Sequence, residues 1–147
     1  MKTFSGIAFA ALTCLAVAAA TAQAAEARKP VTHPADTLKW VPNADAPGVM
    51  TAVAWGDPAK GAHGAFHKFV AGFTAPLHTH TANTKVVVIS GTMSMAGEDG
   101  KEMKFPAGSY YTQPNTYKHT TKCLEGSECL VYLTADAKWD LKPVGGK

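Results

Sequence analysis

The sequence is poor in charge, and the charge it has nearly cancels. Asp, Glu, Lys and Arg make up 17% of the 147 residues, fourteen bases against eleven acids. A typical domain carries about a quarter. No basic run or stripe stands out, so nucleic acid is excluded as a partner on electrostatic grounds. Beyond the first two dozen residues no stretch keeps a helical hydrophobic period, which argues against a bundle. There is no internal repeat, no sign of a second domain, and only three cysteines.

Long apolar runs are confined to the start. Lys2 supplies a positive end, Ile7 to Ala20 an apolar stretch too short to span a bilayer comfortably, and Ala22-Gln23-Ala24 a small-residue cleavage site. Residues 1–24 are therefore expected to be a signal peptide, leaving a periplasmic or secreted protein with no stable membrane anchor. Residues 25–147 would form one domain, with a core over about 38–142 and a loose, polar, Pro-bearing arm over 25–37. Losing Lys2 leaves thirteen bases against eleven acids, a balance of +2. Losing Cys14 leaves Cys123 and Cys129, and an even pair in an exported chain suggests a disulfide. A thiolate metal site or redox pair near His119 is the alternative.

What fills the mature chain is short β-branched or aromatic runs between Gly/Pro/Asn/Asp turns. Strands are expected over Val49 to Trp55, Ala65 to Val70, Phe73 to His80 and Lys85 to Ser90. Further strands are expected over Thr92 to Ala96, Lys101 to Phe105, and Ser109 to Gln113. The segments Thr116–Lys122 and Glu128–Thr134 read as a last hairpin, and Lys138 to Leu141 as a short edge strand. Lys85-Val-Val-Val-Ile-Ser90 is a continuous run that implies burial on both faces. The pattern is all-β, a sandwich or barrel.

Two spaced constellations stand inside this pattern. In the first, Gly72 is followed by His78, His80 and Gly91; side chains two apart on a strand share a face, so both imidazoles point one way. In the second, Gly108 opens a Tyr-rich strand, Pro114 ends it and His119 follows. Together they resemble the paired motifs of the cupins. The first cupin motif runs Gly, five residues, His-x-His, three or four residues, Glu, six residues, Gly. The second runs Gly, five residues, Pro-x-Gly, two residues, His. The departures are Thr84 at the Glu position and Thr116 at the second motif's inner Gly. The likeness covers roughly Gly64 to Thr134 and implies a double-stranded β-helix, a jelly-roll barrel with its site inside the mouth. Gly56-Asp57-Pro58, Gly108-Ser109-Tyr110 and the loop between the cysteines resemble the DUF4437-type branch, which implies no substrate.

The resemblance implies a divalent transition metal, Fe, Cu, Zn, Ni or Mn, held by His78, His80 and His119. Thr84 removes a negative charge and a ligand, leaving the metal its full charge and open positions for water, dioxygen or a chelating anion. Cupins resembling cysteine dioxygenase and acetylacetone dioxygenase use three histidines without Glu. The expected function is thus metal-dependent, dioxygenase-like oxidoreduction of a small molecule; the alternative is a non-catalytic small-ligand or metal-binding cupin, and a third reading has histidines that only decorate the barrel. No residue has the spacing of a nucleophile or general base, and acid–base work would fall to metal-bound water or Tyr111. Thr84, Tyr111 and Gln113 are the candidate pocket residues; Tyr111 and Gln113 share a face, and spacing alone leaves open whether it is the inner one. His67 is expected on the solvent side, while His63 and His33 fall in a turn and in the arm. Pairing through sheet edges would give a homodimer.

Overall fold

The computed structural model describes residues 29–145; the expected signal peptide, residues 1–24, lies outside them. A single 3-10 turn, Ala35–Thr37, precedes strands β1 (Val41–Pro42), β2 (Val49–Gly56), β3 (His63–Phe69), β4 (Thr74–Thr79) and β5 (Thr84–Ser90). Then come β6 (Thr92–Gly97), β7 (Glu102–Pro106), β8 (Tyr110–Gln113), β9 (His119–Cys123), β10 (Cys129–Ala135) and β11 (Lys142–Pro143). They form two antiparallel sheets, a six-stranded one in the order β1-β2-β3-β10-β5-β8 and a five-stranded one in the order β11-β4-β9-β6-β7. This is the expected jelly roll. Among the described residues no helix is long and apolar enough to cross a membrane.

Alternation fixes which side chains meet between the sheets. On β5, Thr84, Val86 and Val88 are 1–2% exposed, while Val87 and Ile89 are 41% and 43% exposed. The apolar run is therefore buried on one face, not both, since Val87 and Ile89 lie on the open outer face of the six-stranded sheet. β10 alternates in the same way, with Val131, Leu133 and Ala135 inside. Val86, Val88, Met93, Val131 and Leu133 form the centre of the core.

The ends of the chain's middle strands differ from the sequence reading in one informative way. β9 and β10 do not form a hairpin: β9 pairs with β4 and β6, whereas β10 lies between β3 and β5. Both edges of β10 are taken by strands far away in sequence, so the short connection crosses from one sheet to the other. The Cys123–Cys129 disulfide spans that crossing and ties the sheets together, which leaves no thiolate for a metal. Lys138 to Leu141 is a loop, and the edge strand follows it as β11.

β4 carries the local irregularity on which the site depends. Ala75 pairs with Thr121 and His78 with His119, so three residues of β4 are spanned by two of β9. The extra residue is a β-bulge beside Pro76, whose missing N–H would otherwise break the ladder. It also shifts the phase of the strand. Ala75 and His78, an odd number of residues apart, both face inward and are 6% and 2% exposed.

Candidate metal centre

The register sets His78 on β4 directly beside His119, the first residue of β9. His80 lies just past the end of β4, two residues along the same face. Ring centroids are 4.3 Å apart for His78 and His119, 4.9 Å for His78 and His80, and 5.3 Å for His80 and His119. All three side chains are buried, at 2%, 6% and 1% exposure.

One nitrogen of each ring is already committed. Nδ1 of His78 meets the carbonyl of Pro76 at 2.7 Å, that of His80 the carbonyl of Asp140 at 2.5 Å, and that of His119 the carbonyl of Tyr117 at 2.9 Å. A carbonyl only accepts, so each Nδ1 carries the proton and donates it, and the lone pair of each neutral ring sits on Nε2. Burial pushes all three pKa values down, His119 to about 4, partly opposed by those carbonyl bonds. The rings are neutral at pH 7.

This arrangement fits a metal ion. One nitrogen from each ring lies within 4.8 Å of those of the other two, and Nε2 of His119 is buried with no hydrogen-bond partner. Imidazoles that donate Nδ1–H to a carbonyl while pointing Nε2 at a common centre have the outer hydrogen bonds of metal ligands. Three such nitrogens suit borderline transition metals.

Thr84 stands where the carboxylate of the motif would be. It is 1% exposed, and its hydroxyl donates to Oε1 of Gln113 at 2.9 Å, while Nε2 of Gln113 reaches Sδ of Met95 at 3.3 Å. The position is thus occupied by a neutral pair that satisfies itself. The register Thr84 to Gln113 and Val86 to Tyr111 also turns Tyr111 and Gln113 inward. Both line the cavity beside the histidines, and Thr84 sits behind Gln113. Burial raises the Tyr111 phenol well above its ordinary pKa, so it is a hydrogen-bond donor at neutral pH and not a base.

The cavity is small, about 60 Å³, below the range of drug-sized sites. Its walls include Phe69, Phe73, Met93 and Trp139, and no Asp, Glu, Lys or Arg lines it. A divalent ion there would keep its charge uncompensated by protein.

Three residues of the site escaped the sequence reading. His67 was expected outside but is 5% exposed and lines the cavity. Its signal was present: Lys68 marks the outer face of Ala65-Phe66-His67-Lys68-Phe69, and His67 falls on the other. Trp139, in the loop before β11, packs 4.6 Å from His80 and 5.8 Å from His67. Asp140 holds Thr81 through both carboxylate oxygens, at 2.7 Å to the amide and 2.5 Å to the hydroxyl, while its carbonyl receives His80. No local pattern announces either of these loop residues. His63 is buried but bonds the carbonyl of Gly61, and exposed His33 bonds the carbonyl of Ala54.

A two-sheet jelly roll with an inward histidine cluster at one end defines a cupin. Solved structures agree on the fold. The polyketide cyclase RemF from Streptomyces resistomycificus superposes with a TM-score of 0.67 at 16% identity, covering 82% of this chain and 88% of its own. An RmlC-like cupin from Ralstonia eutropha gives 0.63 at 20% identity, over 78% of this chain and 73% of that one. KdgF from Halomonas sp. gives 0.56 at 19% identity, over 70% and 92%. Residues 34–145 match the family model "Domain of unknown function (DUF4437)", and the chain belongs to that family. No curated protein matches it.

Proposed function

We propose that this chain is an exported cupin that binds one divalent transition metal through His78, His80 and His119 and takes a small oxygen-bearing molecule into the barrel beside it. The observation that carries the reading is the set of three Nδ1–carbonyl hydrogen bonds, which leaves the three Nε2 lone pairs free on rings whose ligand atoms lie within 4.8 Å of one another. The metal would supply Lewis acidity or oxygen activation, a dioxygenase-like chemistry. The histidines act as ligands only. Gln113 and Thr84 hold the carboxylate position neutral, so an anionic oxygen from the ligand balances the ion's charge. Tyr111 offers a proton to hydrogen-bond that ligand, and the aromatic walls exclude water. The absence of any carboxylate base from the lining favours a second reading, a binding protein without turnover.

Metal content by plasma mass spectrometry tests the site. Near one equivalent is expected in protein recovered from its compartment without a histidine tag, and none in His78→Ala or His119→Ala. Sub-stoichiometric mixed metals unaffected by those changes would refute the site. Dioxygen uptake by the iron- or copper-loaded protein with diketones, thiols and phenols separates enzyme from binder.

A further inference from the structure

His67 enters the barrel from the six-stranded sheet, facing the three histidines, which belong to the five-stranded sheet or the loop continuing from it. The alternation of β3 carries His63, Ala65 and His67 inward together. Two contacts fix the ring: Nδ1 lies 3.0 Å from the Thr51 hydroxyl on β2, and Trp139 packs against it at an interplanar angle of 31°. Thr51 borders a neighbouring cavity beneath β1 and not the one at the histidine cluster, whereas His67 borders both. The Nδ1 edge is therefore spent on the Thr51 side, and Nε2 lies on the opposite edge of the ring. There, Nε2 is buried with no partner. Leaving a buried polar atom unpaired costs its desolvation in full. Apart from the nitrogens of the metal cluster itself, His67 Nε2 is the orphaned buried side-chain atom among the described residues.

We propose that His67 is a second recognition point for the ligand, its Nε2–H donating to a neutral oxygen at the far end of a small, flat, largely apolar molecule whose near end is an anionic oxygen donor at the three-histidine group. The inference rests on the metal-binding reading. The Thr51 hydroxyl can donate to Nδ1, and the ring proton then resides on Nε2. The cavity fixes the rest of the ligand's chemistry. Phe69, Phe73, Tyr111 and Trp139 suit a planar body. With no charged residue in the lining, a carboxylate or ammonium at the far end would be buried unpaired, so amino acids and dicarboxylates are rejected. A hydroxyl or carbonyl is accepted.

The test is a titration of the Co2+-loaded full chain, followed by the visible spectrum of the ion, with benzoate, 3- and 4-hydroxybenzoate and terephthalate. At least one hydroxybenzoate should bind about tenfold more tightly than benzoate, the worth of one good hydrogen bond, and terephthalate should bind more weakly than benzoate. His67→Phe should erase the hydroxyl preference while benzoate affinity stays within about twofold, and His67→Gln should restore part of it. Bound Co2+, counted in every sample, separates the two claims. Wild-type protein that takes up no stoichiometric Co2+ overturns both. Stoichiometric Co2+ with no hydroxyl preference, or with a preference that survives in both variants, overturns the role of His67 alone.

Discussion

His80 is tied to Asp140 directly and through its neighbour Thr81, although sixty residues separate the two. The ring donates Nδ1–H to the Asp140 carbonyl, and the carboxylate of the same residue grips both the amide and the hydroxyl of Thr81, next to the histidine. Lys142 stands 3.3 Å from that carboxylate. His80 is beyond the last ladder bond of its strand, so this clasp, not the sheet, sets its orientation.

Removing the clasp should therefore loosen the metal without removing a ligand. In Asp140→Ala the loop is free to drift, and with it the carbonyl that holds the His80 tautomer. Outer hydrogen bonds of this kind are worth about 10- to 100-fold in metal affinity. Competition with a chromogenic chelator should show a loss in that range, with stoichiometry still one. An unchanged affinity would show that the strand end alone suffices to place His80.

The buried imidazoles make the metal-free protein sensitive to acid. Burial pushes His67 down to about 4, with His63 adding a smaller charge repulsion, against an ordinary value of about 6.5. Above pH 6.5 neither the folded nor the unfolded chain holds the proton, and His67 adds no pH dependence. Between about 6.5 and 4 the unfolded chain binds it and the folded one does not, so stability falls as pH falls. Below about 4 both hold it and the contribution levels off. The slope is about 1.4 kcal/mol per pH unit for each such group. Urea unfolding of the apo protein across this window should show that decline, and His67→Phe should lower the slope by close to one proton.

The triad could be seen in the sequence because its signals are local. His78-x-His80 sits on a strand whose period of two forces both rings to one side, and Gly108 to His119 has a fixed spacing. The same period paired Tyr111 with Gln113. It could not say which face was inner, because only the register of β8 on β5, a contact across more than twenty residues, decides it. His67 was misplaced for a related reason. Its inward direction follows from alternation, but a histidine facing a core is expected only once an opposite wall exists. β9 and β10 read as a hairpin because nearness in sequence suggested pairing, whereas the partners of β10 are β3 and β5.

Thr116 is strained where the motif has glycine. Its φ is +63°, the left-handed region, and among the described residues it is the sole non-glycine there. A β-branched side chain in that region costs on the order of 1–3 kcal/mol. The strain is held in place because its amide donates to the carbonyl of His80 at 2.9 Å. Thr116→Gly should release it, less roughly 0.5–1 kcal/mol for the extra freedom of glycine in the unfolded chain. A rise in Tm of a few degrees is the expected outcome, with metal stoichiometry unchanged. A fall in Tm would mean that the threonine side chain contributes more by contact than its backbone costs.

The disulfide closes a short loop, and its worth follows from that length. Cys123 and Cys129 are six residues apart and 1% and 0% exposed. Restricting a loop this short in the unfolded chain stabilises the fold by about 2 kcal/mol. Because the bridge spans two sheets, reduction also frees a side-chain cross-link between them. The double variant Cys123→Ser, Cys129→Ser would bury two hydroxyls in an apolar core, so Cys123→Ala, Cys129→Ala is the cleaner comparison. It should lose about 2 kcal/mol in urea unfolding, with an increased m-value as the unfolded chain expands. His119 lies at the other end of β9, four residues away, held by its ladder with β4 and by the Tyr117 carbonyl. Metal content should therefore survive the loss of the bridge. A metal site that disappears with the disulfide would show that β9 is positioned by the crossing and not by its sheet.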